Sequence, residues 1–376
     1  MSVNQLKKEI IFHSINLSDC IIKNHYKFGR FGKYHLCLHK KEQKTYLVKT
    51  LKKSVIIEKN LLKKILLELK LYQKLRNAQF FPRLVGISTN DTKFLGLFFR
   101  FPTGGRLRNL LNKNKKLPLE MVKFYVANIL LILEELHKNK IIYRDLKIDN
   151  LLIKDNGYLT VMDITYAKEL KKFSEKTFTL CGTPNYLAPE IILNNGYNFS
   201  VDFWSLGIIF FELLTGKDPF SSKDPILIYQ NILTNNKKFP KIIDRDAKTL
   251  INHLLVADPK KRYGCLKNGV SDIKNHRLYN DFQWDKLWEC SMEAPFLPTI
   301  EEGEEITKYF DEEKCNLKIK EKYLKKKEEI EKLKKEIMEN KNIKTKKISL
   351  LEGTEVIDSD TEAKEINEIE DPFLEW

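Results

Sequence analysis

Residues 143–153 read YRDLKIDNLLI, and this stretch limits the fold more than any other. Charged and amide side chains crowd between short apolar runs. Asp145 precedes Asn150 by five residues and Lys147 by two. As a bare pattern this is a charged turn between two strands or a catalytic loop. The spacing suits chemistry on a phosphate. Asp145 can accept the proton of an attacking hydroxyl, Asn150 can hold a metal, and Lys147 can neutralise a transferring phosphate. Asp163 closes the apolar run YLTVMD thirteen residues beyond Asn150. Alone it would be a turn residue or a helix cap. With the loop upstream it reads as the second metal ligand.

The 376 residues are enough for two packed lobes plus tails. The net charge of +15 does not select a polyanion partner, because lysine is abundant along the whole chain. A nucleic-acid role is therefore not favoured. The six cysteines are scattered without a CxxC pair, which argues against a zinc site or a disulfide framework. No apolar run is long enough to span a bilayer. The expectation is a soluble cytoplasmic protein, with the nucleus as the other compartment.

Residues 1–20 form an N-terminal extension, read as a short leading helix. Residues 21–50 alternate as strands, with HKKEQK as the hairpin turn. Residues 55–76 carry apolar residues at helical spacing. A strand pair spans 84–101, and a helix follows Pro118 over 118–139. Helical patterns dominate from 200 to about 290. Residues 317–347 are lysine-rich and interleave Glu with Lys at helical spacing, as a solvated helix or a short coiled coil does. Residues 352–375 hold ten acidic residues and one lysine and read as disordered.

Upstream of the loop, YLVKTL places Lys49 on a strand, and Glu68 follows nineteen residues later inside the 55–76 helix. A strand lysine paired to a helix glutamate can hold nucleotide phosphates. GRFG at 29–32 is the remnant of a glycine-rich turn, in which Gly29 and Gly32 permit close backbone approach. Downstream, TFTLCGTPNYLAPEII carries Glu190, for which Arg262 in DPKKRYG is the candidate partner. Asp202 in DFWSLG is placed to cap the backbone of the 143–153 loop.

With these motifs in hand, residues from about 20 to 300 resemble the AGC group of Ser/Thr protein kinases, and most of all its cAMP-dependent branch. YRDLK, TLCGTP, YLAPEIIL, KNGVSDIKNH and EAPFLP carry the likeness. The resemblance implies an α+β, bilobal protein kinase fold. Its small β-rich N-lobe (21–101) has one key helix, and its large C-lobe (102–279) is mainly helical. An AGC-type tail would cover 280–316, followed by the basic 317–347 insertion and an acidic tail over 348–376. It implies ATP and Mg2+ as cofactors and transfer of the γ-phosphate to Ser or Thr of protein substrates. Lys49, Glu68, Asp145 and Lys147 would be catalytic. Gly29, Gly32, Tyr34, Leu47, Phe101 and Leu152 would line the nucleotide, with Asn150 and Asp163 on the metal. Thr179 would be the activation-loop phosphorylation site, with Arg144, Lys168 and Lys64 as basic partners. Asp149, Glu212, Leu180, Pro184 and Leu187 would face the substrate. The terminal FLEW (Phe373 and Trp376) resembles the hydrophobic motif that docks beside the Glu68 helix.

The sequence also departs from the group. Lys27 stands where the first loop glycine would be, and Tyr34 and Leu47 add volume against the adenine. Pro102 falls at the hinge position and has no N–H to give; a one-residue shift would leave Phe101 to donate. Arg106 replaces a glutamate that recognises a substrate arginine, so the expected basophilic preference is weakened or shifted. Glu313 stands where a nucleotide-contacting tyrosine is common. DIT replaces DFG, so Thr165 restricts a backbone that glycine leaves free. Two readings follow: an active Ser/Thr kinase, or a pseudokinase scaffold with weak or absent turnover. Regulation would come from a separate inhibitory subunit, and activation from an upstream kinase docking at FLEW or from autophosphorylation.

Overall fold

Residues Thr45–Lys52 alternate faces with the two-residue period of a strand. Leu47, Lys49 and Leu51 share one face, and Tyr46, Val48 and Thr50 the other. Both faces bury apolar groups, so the strand belongs inside a sheet rather than at its edge. The computed structural model describes residues 12–28, 32–222, 224–240 and 243–299. The basic 317–347 insertion, the acidic tail, FLEW, Glu313 and Gly29 lie outside the described residues.

The described residues divide into two units, and a short excursion of the chain completes the first. The first unit runs to Thr103 and takes in Thr160–Thr165. Its six-stranded sheet comprises β1 (His13–Ser14), β2 (Cys20–Phe28), β3 (Lys33–His39), β4 (Thr45–Lys52), β5 (Leu84–Ser88) and β6 (Phe94–Arg100), in the order β1-β5-β6-β4-β3-β2. The β1–β5 pair is parallel and the others are antiparallel. Val48, Cys37 and Phe98 pack together on one face, flanked by Ile15, Leu17, Cys20, Tyr46 and Val85. The expected leading helix does not reach residues 12–20. There the chain is held to the sheet, where the Ile15 amide donates to the Ile87 carbonyl at 2.9 Å.

Helices α1 (Lys53–Glu58) and α2 (Leu62–Lys74) replace the single helix expected over 55–76. The break falls at Asn60, whose φ of 48° is left-handed, a conformation asparagine tolerates better than most residues.

The second unit holds Gly104–Leu159 and continues from Tyr166. It contains α3 (Leu107–Asn114), α4 (Leu119–Lys138) and α6 (Ser200–Thr215), with the short α5 (Pro189–Ile192) between the last two. Pro118 stands just before α4, as its sequence indicated. Helix α6 is buried nearly all round, so it shows little amphipathic patterning and sits in the core. Short strand β7 (Ile141–Ile142) pairs antiparallel with Lys168–Glu169, and β8 (Leu151–Ile153) follows the 143–150 loop. Among the described residues no helix is long and apolar enough to cross a membrane.

Candidate active site

In the first unit the site is built around one buried ammonium. Alternation puts Lys49 on the inner face of β4, and helical spacing puts Glu68 on the buried face of α2 with Ile65, Leu69 and Tyr72. The Lys49 Nζ donates to Glu68 Oε1 at 2.7 Å and lies 3.7 Å from Asp163 Oδ1. Burial works against the Lys49 charge, but Asp163 and Glu68 outweigh it and hold its pKa above the ordinary lysine value. Burial pushes the Glu68 carboxyl up, with Lys49 pulling the other way. One ammonium between two carboxylates favours a charged Lys49.

Thr165 joins this cluster. Its hydroxyl accepts from Lys49 Nζ at 2.7 Å, while its single proton is directed at Asp163 Oδ1, 2.5 Å away; Glu68 Oε2 is farther, at 3.2 Å. Its amide donates to the same Asp163 oxygen at 3.0 Å. Thr165 is absent from the residues with positive φ, so its β-branched side chain sits without backbone strain. The expected restriction lay in the backbone alone; the structure adds a hydroxyl that ties Thr165 to Lys49 and Asp163. Tyr34 is the cross-strand neighbour of Lys49 and is fully buried, with its ring centroid 5.8 Å from Nζ. Leu47 is buried beside it, and Phe101 and Pro102 follow the end of β6. A Cβ on Gly32 would come within 2.7 Å of the Thr50 carbonyl, so glycine lets the chain enter β3 this close to β4.

In the second unit Asp145 is held by three side chains. Asn150 Nδ2 donates to its Oδ2 at 3.0 Å and to its backbone carbonyl at 2.9 Å. Lys147 Nζ lies 3.0 Å from Oδ2. The third is Thr183, which the sequence reading passed over. Its hydroxyl accepts from Lys147 at 2.5 Å and donates to Asp145 Oδ1 at 2.7 Å. The backbone beneath is pinned by Asp202, as its position suggested. Its carboxylate accepts from the amides of Tyr143 at 2.9 Å and Arg144 at 3.0 Å. His137 Nε2 adds a third contact at 2.8 Å. Arg144 adopts a φ of 67°, and a Cβ on Gly182 would meet its carbonyl at 2.8 Å. Glycine at 182, with φ of 115°, is what allows Thr183 to follow so close to the loop.

A family model for the protein kinase domain matches residues 27–278. The chain belongs to the protein kinase family. Within it the chain is AGC-like. It is 39% identical over 289 residues to the cAMP-dependent protein kinase catalytic subunit of Dictyostelium discoideum, which covers 76% of this chain and 44% of that protein. It is 36% identical over 296 residues to cAMP-dependent protein kinase type 3 of Saccharomyces cerevisiae, covering 79% and 73%. A cGMP-dependent protein kinase of Drosophila melanogaster is 35% identical over 303 residues, covering 80% and 32%. The chain thus spans less than half of the Dictyostelium protein and nearly three quarters of the yeast one.

The remaining expected residues separate into those with the expected contacts and those without. Arg262 is wholly buried and grips Glu190 with two nitrogens, at 2.7 and 3.0 Å, as the sequence pairing anticipated. Leu152 is buried in β8 and Leu187 is buried, whereas Leu180 is half-buried and Pro184 is exposed. Thr179 is half-buried, and its carbonyl accepts from Tyr197. Lys168 donates to Thr177 at 3.1 Å, two residues short of the residue it was expected to serve. Lys64 lies on α2 in the first unit. Asp149 and Glu212 do converge, but on a residue of the chain itself. Arg108 donates through Nε and Nη2 to Asp149 at 3.2 and 2.9 Å, and through Nη1 to Glu212 at 2.5 Å. Two arginines flank Leu107 in GGRLRN, and the second of them, Arg108, makes these contacts.

Proposed function

We propose that the kinase transfers the γ-phosphate of Mg-ATP to serine or threonine hydroxyls of protein substrates. The observation that carries this is the Asp145 cluster. Its carboxylate is oriented from three sides, as a proton acceptor must be before substrate arrives. Lys147 lies against it, ready to offset charge on the phosphoryl group. In the first unit Lys49 keeps its proton and is aimed by Glu68, so it can take phosphate oxygens without leaving its place.

The donor chemistry fits a divalent ion bound with nucleotide. Asp163 offers carboxylate oxygen. Asn150 turns its amide nitrogen to Asp145, and its amide oxygen is the atom of that side chain with the chemistry to ligate a cation. Among the described residues no three His, Cys, Asp or Glu side chains gather as a metal cage. Mg2+ needs none, since it takes one or two protein oxygens with substrate phosphates and water. When bound it would neutralise phosphate charge; the residues that would hold it are Asn150 and Asp163.

Activation at Thr179 fits the local charge. Burial lowers the Lys168 pKa, and the neighbouring Arg144 lowers it further. Two cations that repel each other there would be relieved by a phosphate, with new charge-assisted bonds ordering the segment. Thr179 would be modified by an upstream kinase docking at FLEW or by autophosphorylation, and inhibition like that of its relatives would need a separate subunit.

Purified protein with Mg-ATP and a mixed Ser/Thr peptide pool should incorporate phosphate, and Asp145→Asn should abolish incorporation. The buried Tyr34 and Leu47 favour one other reading, a scaffold whose nucleotide site is crowded. Full Thr179 phosphorylation with no turnover on any peptide would select the scaffold and reject the kinase activity.

A further inference from the structure

Arg108 is the second positively charged residue after Gly105 and the second residue of α3. Four of its five N–H donors are engaged. Two go to Asp149, one to Glu212, and one to the Tyr186 hydroxyl at 3.1 Å. Tyr186 in turn donates to the second Glu212 oxygen at 2.5 Å. Both Glu212 oxygens are therefore taken, and both Asp149 oxygens as well. Glu212 and Tyr186 are buried, so the Glu212 side of the cluster is shielded from water, while Arg108 and Asp149 stay partly exposed. Burial works against the guanidinium, but Asp149 and Glu212 more than compensate and keep its pKa above the ordinary value.

We propose that Arg108 is a built-in occupant of the acidic site made by Asp149 and Glu212, and that it fixes the substrate class as Ser/Thr peptides with no arginine requirement at the position facing these carboxylates. This rests on the kinase activity proposed above. An incoming arginine must displace a guanidinium tethered in the same chain, whose effective concentration is millimolar or more. It would also meet carboxylate oxygens that each already accept a hydrogen bond, so a forked contact must compete with Arg108 and Tyr186. The intramolecular pair therefore masks a site whose acidic residues, read alone, announce a basophilic enzyme. Specificity must then come from other contacts, the buried Leu187 among them.

Removal of Arg108 should uncover the acidic pair. Each charge-assisted bond regained by a substrate arginine is worth about 1.5–3 kcal/mol, so Arg108→Ala should raise the preference for arginine over alanine at the facing position about tenfold or more. The measurement is kcat/KM across a positional peptide library, with the full chain. Wild type should discriminate less than about threefold there, below 1 kcal/mol. The double variant Arg108→Ala with Glu212→Gln should lose the gain. A parallel arm measures equilibrium binding of an arginine-containing peptide with alanine in place of the acceptor, by fluorescence anisotropy. This arm needs no turnover. If no peptide is phosphorylated, the kinase reading fails while the binding arm still judges Arg108. If Arg108→Ala does not fold, Arg108→Lys keeps the charge, surrenders the fork, and should show a smaller gain. A wild-type preference for arginine of tenfold or more, or a folded Arg108 variant with unchanged selectivity and binding, overturns the proposal.

Discussion

Replacing Thr165 by valine keeps the branched shape and deletes only the hydroxyl. That hydroxyl accepts from Lys49 at 2.7 Å and faces Asp163 at 2.5 Å. Hydrogen bonds to charged partners are worth about 1.5–3 kcal/mol each. Lys49 retains Glu68, and the added methyl gains about 0.8 kcal/mol by burial, so the net loss should be about 2–5 kcal/mol. In a domain of the size matched by residues 27–278 that lowers the melting midpoint by roughly 4–10 °C. Thr165→Ser keeps the hydroxyl and should stay within about 1 kcal/mol of wild type. Thr165→Gly loses the hydroxyl and adds backbone entropy, about 0.5–1 kcal/mol more than valine costs. Thermal denaturation of the three variants gives the ranking. A Thr165→Val protein that melts with wild type, beside a destabilised Thr165→Gly, would show that the backbone alone stiffens this corner and that the hydroxyl contributes nothing.

Other consequences follow from the same contacts. Arg262→Leu strands Glu190 in the interior, which should cost about 3–5 kcal/mol and leave little soluble protein, measured by denaturant titration. Thr183→Val should lower kcat more than it raises KM, because Thr183 positions Asp145 and Lys147, and Thr183→Ser should restore it; an effect confined to KM would place Thr183 in substrate binding instead. Burial, with Cys20 adding, raises the Cys37 thiol from 9.0 to about 12. The folded state thus holds that proton longer than the unfolded chain. The stability it contributes is complete below pH 9 and declines as pH rises toward 12. Native protein at pH 9 should resist alkylation at Cys37, and rapid labelling would contradict its burial.

The sequence exposed those parts of the site that short spacing controls. Asp145, Lys147 and Asn150 lie within one turn of chain, so their meeting could be read directly. Lys49 and Glu68 were legible because one sits at strand period and the other at helix period. Glu190 with Arg262 and Asp202 with the loop were legible because each buried charge demands a partner. Thr183 and Arg108 were not. A threonine in a loop carries no periodicity, and an arginine among many lysines looks like solvated charge. What makes each matter is a contact across dozens of residues, and only the folded chain brings those ends together. The helix expected at 55–76 failed at Asn60 because apolar spacing continues across a residue that leaves the helix.

The hexapeptide Thr160–Thr165 belongs to the first unit although the chain on either side belongs to the second. A fragment cut at Thr103 would therefore leave Asp163 and Thr165 behind. Its Lys49 would keep Glu68 but lose the second carboxylate and the hydroxyl, and one edge of a buried charge would be open. The small unit is thus not separable as a contiguous piece of gene. During synthesis the ammonium of Lys49 therefore cannot meet Asp163 and Thr165 until the ribosome has passed residue 165.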